Sequence, residues 1–427
     1  MNHKKWARKK VSEVCELIVD CVNKTAPSVG YTTPYKMIRT PNIKKGKINL
    51  SGCRFVEKDT FDIWTRRAKV KCGDILLTRE APMGEVGIVN FEDQVFLGQR
   101  IMQYRANPKK LNPYFLLYSF LSPDLQFQFR RYDSSGSIVS HIRVPDCTNF
   151  EINVPSLSEQ NKIVNILKTI DDRIEVNSQI IMLLEEMAKN LFDYWFLQFD
   201  YPNNQGKPYS QSNGQLVFDN VLNKEIPPNW EVKTLSDIAN ITMGQSPDGS
   251  SYNGHGEGTI FYQGSTDFGD IFPKERQYTT APARMAKKGD ILLSVRAPVG
   301  DMNIANTDCC IGRGLAALNS KDGFDGFLFY VMKYFKQVFD RRNSEGTTFG
   351  SITKNDLYSL KLAYPPKELL EKYDNIVSKY NEMIFIRSME NQKLEELRDW
   401  LLPMLMNGQI SIRDAEEHIA KTFEQNE

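Results

Sequence analysis

Residues 73–90 read GDILLTREAPMGEVGIVN and residues 289–306 read GDILLSVRAPVGDMNIAN, a displacement of 216 residues with most positions identical or chemically close. Two copies this alike point to an internal repeat, and a repeat organises a fold before any single element does. Within each copy, Gly-Asp is a turn signal feeding the apolar run Ile-Leu-Leu, and Ala-Pro-x-Gly is a second turn, so each reads as a β-hairpin. A phosphate cradle is the other meaning of such glycines. It is disfavoured because no helical pattern follows them and no lysine stands where a phosphate loop needs it.

The match runs outward in both directions. Upstream, Trp6-x4-Val11-Ser12-Glu13-Val14 answers Trp230-x4-Leu235-Ser236-Asp237-Ile238; downstream, Gly136-Ser137 answers Gly346-Thr347 and Ile152-x-Val154-Pro155 answers Leu362-x-Tyr364-Pro365. Each half is therefore expected to hold a strand-rich domain followed by a long helix. In the first helix Ser158 is the N-cap, and apolar residues recur at spacings of four and three: Ile163, Leu167, Ile170, Ile174, Ile181, Leu184, Ala188, Leu191 and Trp195, with Asn177 in the gap. That spacing implies a partner helix. The second seam is Tyr373, Val377, Tyr380, Ile384, Leu394, Leu401 and Leu405, with Arg387 standing where Asn177 stands. About 37 helical residues span roughly 55 Å.

The expected class is α+β, with two repeated strand-rich domains separated by two long antiparallel coiled-coil helices under pseudo-two-fold symmetry. The divisions are 1–155 first domain, 156–200 first spacer helix, 201–228 polar linker, 229–365 second domain, 366–408 second spacer helix and 409–427 tail.

Length and composition fit several soluble domains, and no stretch approaches the roughly 18 apolar residues of a membrane span. The basic start is not followed by an apolar core, so a cytoplasmic location is expected. Net charge is +1 overall, but residues 1–154 hold 25 Lys/Arg against 15 Asp/Glu, whereas 229–364 hold 15 against 15. Residues 155–228 and 365–427 are acidic, with 6 against 10 and 8 against 13. A polyanion suits the first block, and a protein partner suits the acidic ones.

Chemistry-bearing motifs are scarce. The seven cysteines form no C-x-x-C pair, and adjacent Cys309 and Cys310 suit neither a metal knuckle nor an unstrained disulfide. The four histidines, His3, His141, His255 and His418, pair with no ligand set or nucleophile signature. Gly254-His255-Gly256-Glu257-Gly258 lacks the preceding strand and following helix of a nucleotide fingerprint, and the Pro-Pro pairs at 227 and 365 lack the flanks of an amino-methyltransferase loop. No catalytic residue and no metal site is expected.

Several stretches together resemble the specificity subunits of Type I restriction-modification systems. These are Val154-Pro155-Ser156-Leu157-Ser158-Glu159-Gln160, the turn Gly244-Gln245-Ser246-Pro247, the two hairpins, the link from Phe199 through Pro208-Tyr209 to Trp230, and Leu401 to Gly408. The resemblance implies a non-catalytic subunit whose two domains each read half of a split double-stranded DNA sequence. Its helices would fix the gap and dock two modification (methyltransferase) subunits, with restriction subunits joining them. S-adenosylmethionine, ATP and Mg would then belong to the partners and no cofactor to this chain. A stand-alone DNA-binding regulator is the alternative. The second helix begins Leu369-Leu370 where the first begins Glu159-Gln160, which bears on whether the two docking surfaces are equivalent.

Candidate DNA contacts are polar or basic residues in loop segments: Lys36, Arg39, Thr40, Arg79, Arg130, Arg131, His141 and Arg143 in the first domain. The second offers Gln263, Ser265, Thr266, Arg296, Arg341, Arg342, Thr347 and Lys354. Arginine forks suit guanine edges and phosphates, glutamine suits adenine, and hydroxyls suit either. The pairs Arg130-Arg131 and Arg341-Arg342 stand before the repeated Gly136 and Gly346, where a backbone can approach phosphate.

Overall fold

In the computed structural model, which describes residues 6–131, 141–344 and 351–424, the chain forms two compact units. One comprises residues 1–176 and 391–427; the other comprises residues 177–390.

Each unit is built on a four-stranded antiparallel sheet with the same strand order. In the first unit the order is Cys15–Asp20, Ile101–Ala106, Ile75–Thr78, Val86–Ile88; in the second it is Ala239–Met243, Leu315–Ser320, Ile291–Ser294, Met302–Ile304. The repeated segment is a hairpin in both, with Ile75 opposite Ile88 and Ile291 opposite Ile304. Further pairs recur as well. Ala7–Lys10 lies against Glu151–Val154 as Glu231–Thr234 lies against Lys361–Tyr364, and Tyr35–Ile38 runs parallel to Gln94–Leu97 as Thr259–Tyr262 runs parallel to Cys309–Ile311. The copies diverge around the last pair, where the second adds strands on both sides to make a five-stranded sheet.

The local chemistry explains the motif. Gly73 and Gly289 sit at φ +89° and +94°, where a side chain is strained, and the Asp74 and Asp290 carboxylates accept the Lys71 and Lys287 N–H groups to close the turn. The three apolar residues that follow do not alternate with polar ones because the strand is covered on both faces. Ile75 and Leu77 enter the main core while Leu76 enters a second cluster with Ile38, Val95 and Ile101; Leu292 is divided from Ile291 and Leu293 in the same way.

The long helices span Leu157–Phe192 and Lys367–Met406, and each contributes to both units. In the first unit, Ile163, Leu167, Ile170 and Ile174 share a core with Leu394, Leu397, Leu401 and Leu405. Arg398 meets Asp171 at 3.3 Å and Asn391 Nδ2 donates to the Ile174 carbonyl at 3.4 Å, so the two segments run antiparallel there. In the second unit, Ala188, Phe192, Trp195 and Phe196 pack with Tyr373 and Val377.

The seam differs from the sequence expectation in places. Asn177 is fully buried, but Arg387 is half-buried and ion-paired with Glu390, and the neighbouring Ser388 is the buried polar residue of the second helix. Burying a guanidinium costs far more than burying a serine hydroxyl, even though the Ser388 Oγ has no hydrogen-bond partner among the described residues. Ile181, Leu191 and Tyr380 are only half-buried; the bulky Phe192 turns inward in place of Leu191.

The stretch read as a linker and the one read as a tail both hold secondary structure. Between 201 and 228, Val217–Asp219 pairs with Lys224–Ile226, the Tyr201 and Tyr209 rings stack at 4.8 Å, and Tyr201 and Ile226 join Trp230 in the core. The tail holds a helix, Ile412–Glu424, whose Ala415 is buried and whose His418 stacks on Trp400 at 4.1 Å.

Candidate nucleic-acid interface

One end of each strand-rich domain gathers loops from widely separated parts of the sequence. In the first unit the hairpin loop is closed by Gly84 N donating to the Thr78 carbonyl at 2.9 Å. Around it, Arg79 N donates to the Arg100 carbonyl, Ile142 N donates to the Arg79 carbonyl, Gly98 N donates to the Ile38 carbonyl, and Thr40 Oγ1 donates to the Ala81 carbonyl. Those bonds bring Arg39, Thr40, Arg79, His141 and Arg143 to one edge.

The second unit repeats the framework. Gly300 N donates to the Ser294 carbonyl, Val295 N to the Gly314 carbonyl, Ile352 N to the Val295 carbonyl, and Gly312 N to the Tyr262 carbonyl. The edge therefore collects Gln263, the turn Ser265–Asp267 with Thr266, Arg296 and the helix Lys354–Tyr358. The Gly244-Gln245-Ser246-Pro247 turn belongs here too. A Cβ on Gly244 would lie 2.2 Å from the Gly312 carbonyl oxygen, so only glycine permits the approach, and Ser246 Oγ accepts from Arg313 N.

The individual side chains differ in how free they are. Lys36 lies in the strand Tyr35–Ile38 and is ion-paired with Asp93; Arg143 is held by Asp146 at 2.8 Å. Thr40 is buried, and its hydroxyl ties the turn to the hairpin loop, so it positions the edge instead of facing outward. Arg39 and Arg79 are half-buried, with guanidinium N–H groups donated to the Gly52 and Ile142 carbonyls, and His141 is half-buried beside them. Arg130 and Arg131 are exposed in the last turn of the helix Pro123–Arg131. Gln263, Thr266, Arg296 and Lys354 are exposed, Ser265 is half-buried, and Lys354 Nζ lies 5.0 Å from the centre of the Tyr358 ring. Arg341 and Arg342 fall in the helix Asp325–Ser344, with side chains outside the described residues; Thr347 and the Gly136 and Gly346 loops lie outside them altogether.

Two charged residues at the first edge were missed in the sequence. Arg100 is exposed at φ +74° and its Nε lies 3.5 Å from Glu80 Oε2. The signal was available: the stretch Gly98-Gln99-Arg100 occupies the place of Gly312-Arg313-Gly314 in the second copy.

At its second position the difference at the helix starts lies inside the fold, whereas Glu159 is half-buried where Leu369 is buried. Gln160 is fully buried and makes three bonds: Nε2 donates to the Lys110 and Pro155 carbonyls at 3.0 and 2.9 Å, and Oε1 accepts from Asn112 N at 2.8 Å. Leu370 is equally buried in an apolar core, so the departure at this position changes how a helix is anchored and not what its surface offers.

Among the described residues there is no group of three or more His, Cys, Asp or Glu placed to hold a metal ion, and no helix is long and apolar enough to cross a membrane. Burial pushes the Cys147 thiol up to about 11 and those of Cys15 and Cys309 to about 12, which leaves them as apolar core groups.

Residues 3–186 and 227–397 match the family model described as Type I restriction modification DNA specificity domain. A putative type I restriction enzyme MjaX specificity subunit of Methanocaldococcus jannaschii is 31% identical over 417 residues, covering 96% of this chain and 94% of the relative. The HindI specificity subunit of Haemophilus influenzae is 22% identical over 406 residues, covering 80% and 87%. The crystal structure of a Type-I restriction-modification system S subunit from M. genitalium has a TM-score of 0.61 at 17% identity, covering 95% of this chain and 97% of that one, a likeness of fold.

Proposed function

The chain belongs to the Type I restriction-modification DNA specificity family and carries two recognition domains, and from that premise we propose that it is the non-catalytic subunit through which such a complex reads a split duplex target. Residues 1–155 and 229–365 each read one half-site. Residues 156–200 and 366–408 form an antiparallel coiled coil that sets the gap under a pseudo-two-fold axis, joined by the segment 201–228 and followed by the tail 409–427. Matched pseudo-symmetry suits duplex DNA, whose strands are related by the same kind of axis.

The observation that carries this reading is the shared loop framework at the domain edges. The backbone bonds Arg79 N to Arg100 O and Val295 N to Gly314 O recur, while the side chains around them differ. One scaffold with two sets of tips is what a two-part sequence reader requires. The contacts proposed are Arg39, Arg79, Arg130, Arg131, His141 and Arg143 in the first domain, with Lys36 released from Asp93. In the second they are Gln263, Ser265, Thr266, Arg296, Arg341, Arg342, Thr347 and Lys354.

Its partners in this reading are double-stranded DNA, two modification subunits and the restriction subunits, which supply S-adenosylmethionine, ATP and Mg chemistry in the cytoplasm. The acidic balance of 155–228 and 365–427 supports protein docking there. The test is selection of the full chain, alone and co-expressed with a modification subunit, on duplexes with randomised cores. The expected result is co-purification and a consensus in two short blocks at fixed separation. A contiguous consensus with no co-purification would instead support a stand-alone regulator, and no enrichment would refute DNA reading.

A further inference from the structure

The two domain edges share a backbone but differ in charge at equivalent points. Where the first copy has Glu80 the second has Arg296, and where the first has Arg100 the second has Gly314. Behind these tips in the first copy lie Arg39 and Arg79, whose guanidinium groups are anchored on backbone carbonyls and whose Nε atoms are buried with no hydrogen-bond partner among the described residues. Glu80 is the carboxylate beside Arg100, whereas the Arg79 guanidinium turns to the Ile142 carbonyl and that of Arg39 to the Gly52 carbonyl.

Arg100 stands apart from the other two. It is exposed, its contact with Glu80 at 3.5 Å is too long for a firm fork, and its backbone holds φ +74°, a conformation that residues other than glycine avoid. Strain kept at an exposed arginine is the mark of a side chain that must be aimed. A phosphate contact carries no sequence information and serves both copies equally, whereas a base contact must differ between domains that read different half-sites. Arg100 is placed in one copy only.

Resting on the DNA-reading function above, we propose that Arg100 is a base-reading residue of the first domain that specifies a guanine in its half-site. Its fork donates to guanine O6 and N7. Glu80 is a positioning residue that orients the fork.

The experiment is selection of the full chain on duplexes with randomised cores, comparing the wild type with Arg100→Gly, Arg100→Gln and Glu80→Gln. The glycine variant suits φ +74° and reproduces the second copy, so its thermal midpoint should not fall. The expected result is loss of a guanine preference of about ten- to hundred-fold at one position of one half-site in both Arg100 variants, with the other half-site unaltered. Glu80→Gln should weaken the same preference without abolishing it, which a purely structural ion pair would not do. A consensus unchanged at every position, even with uniformly weaker binding, would overturn the proposal and leave Arg100 a phosphate contact or a surface charge. A wild-type chain that selects no sequence would overturn the DNA-reading function itself, and this assignment with it.

Discussion

Replacing Gln160 with leucine copies into the first unit what the second has at Leu370, and the structure sets the cost. The change removes three hydrogen bonds, to the Lys110 and Pro155 carbonyls and from Asn112 N–H, in a site with no solvent exposure. A buried polar group left unpaired costs about 1–3 kcal/mol, and the two partly buried partners regain some water, so the loss is about 2–5 kcal/mol. Burying leucine in place of glutamine offsets about 1–2 kcal/mol. The net destabilisation of the first unit is then about 1–3 kcal/mol, or a midpoint shift of about 2–4 °C per kcal/mol for a unit of this size. Because two units need not unfold together, the assay is hydrogen exchange resolved by peptide, with protection lost around residues 110–121 and 155–165 and unchanged around 367–380. Gln160→Glu separates the causes. It keeps the acceptor for Asn112 but buries a charge, so its folded pKa lies above the ordinary glutamate value. Its stability should therefore be greater at pH 5 than at pH 8, as the protonated form favoured by the folded state fills. A leucine variant as stable as the wild type would refute the reasoning.

Reversing charge at Arg130 and Arg131 should weaken DNA binding at least ten-fold and lower the slope of log affinity against log salt by about 2, near 0.9 per lost phosphate contact; an unchanged slope would remove this helix end from the interface. Inserting seven residues into both long helices, at 176/177 and 390/391, should lengthen the gap between half-sites by about three base pairs, from about 10 Å of added helix, and leave both half-sites intact. Modification at the original spacing would disprove the ruler. Alkylation of the native chain at pH 8 should label exposed Cys72 and spare Cys15, Cys147 and Cys309, whose thiols burial holds at about 11–12; rapid labelling of those three before unfolding would contradict their placement.

The repeat made the domain organisation legible, because apolar runs and turn residues survive in both copies, but the non-sequential order of strands in each sheet was not read from it. Ile75-Leu76-Leu77 and Ile291-Leu292-Leu293 announced the central strand without revealing that its two faces enter different cores. Seam position was harder to read. Arg387 and Ser388 are adjacent polar residues, and which one turns inward depends on a rotation of about 100° that spacing across a polar gap does not fix. The edge residues were only partly legible. Arg39, Arg79 and Arg100 are far apart in sequence and stand on segments joined by backbone bonds, and for Arg100 the one signal was its place in the repeat opposite Gly314. The Gly-Asp turns were legible, and the Asp74 and Asp290 carboxylates close them. The tail helix was missed although Ile412, Ala415 and Ile419 recur at helical spacing and pack on the first unit's core; the stripe is short.

The first unit is completed by residues 391–427, so its core is discontinuous in the chain. A ribosome adding about 5–20 residues per second takes some 10–40 s to pass from residue 176 to residue 391, and the whole second unit emerges in that interval. During it, Ile163, Leu167, Ile170 and Ile174 have no Leu394, Leu397, Leu401 or Leu405 to cover them. The inserted unit can thus mature on the ribosome while the enclosing one waits with an apolar stripe exposed. That stripe is where a chaperone would bind nascent chains, and a stall within residues 177–390 would leave it open to aggregation.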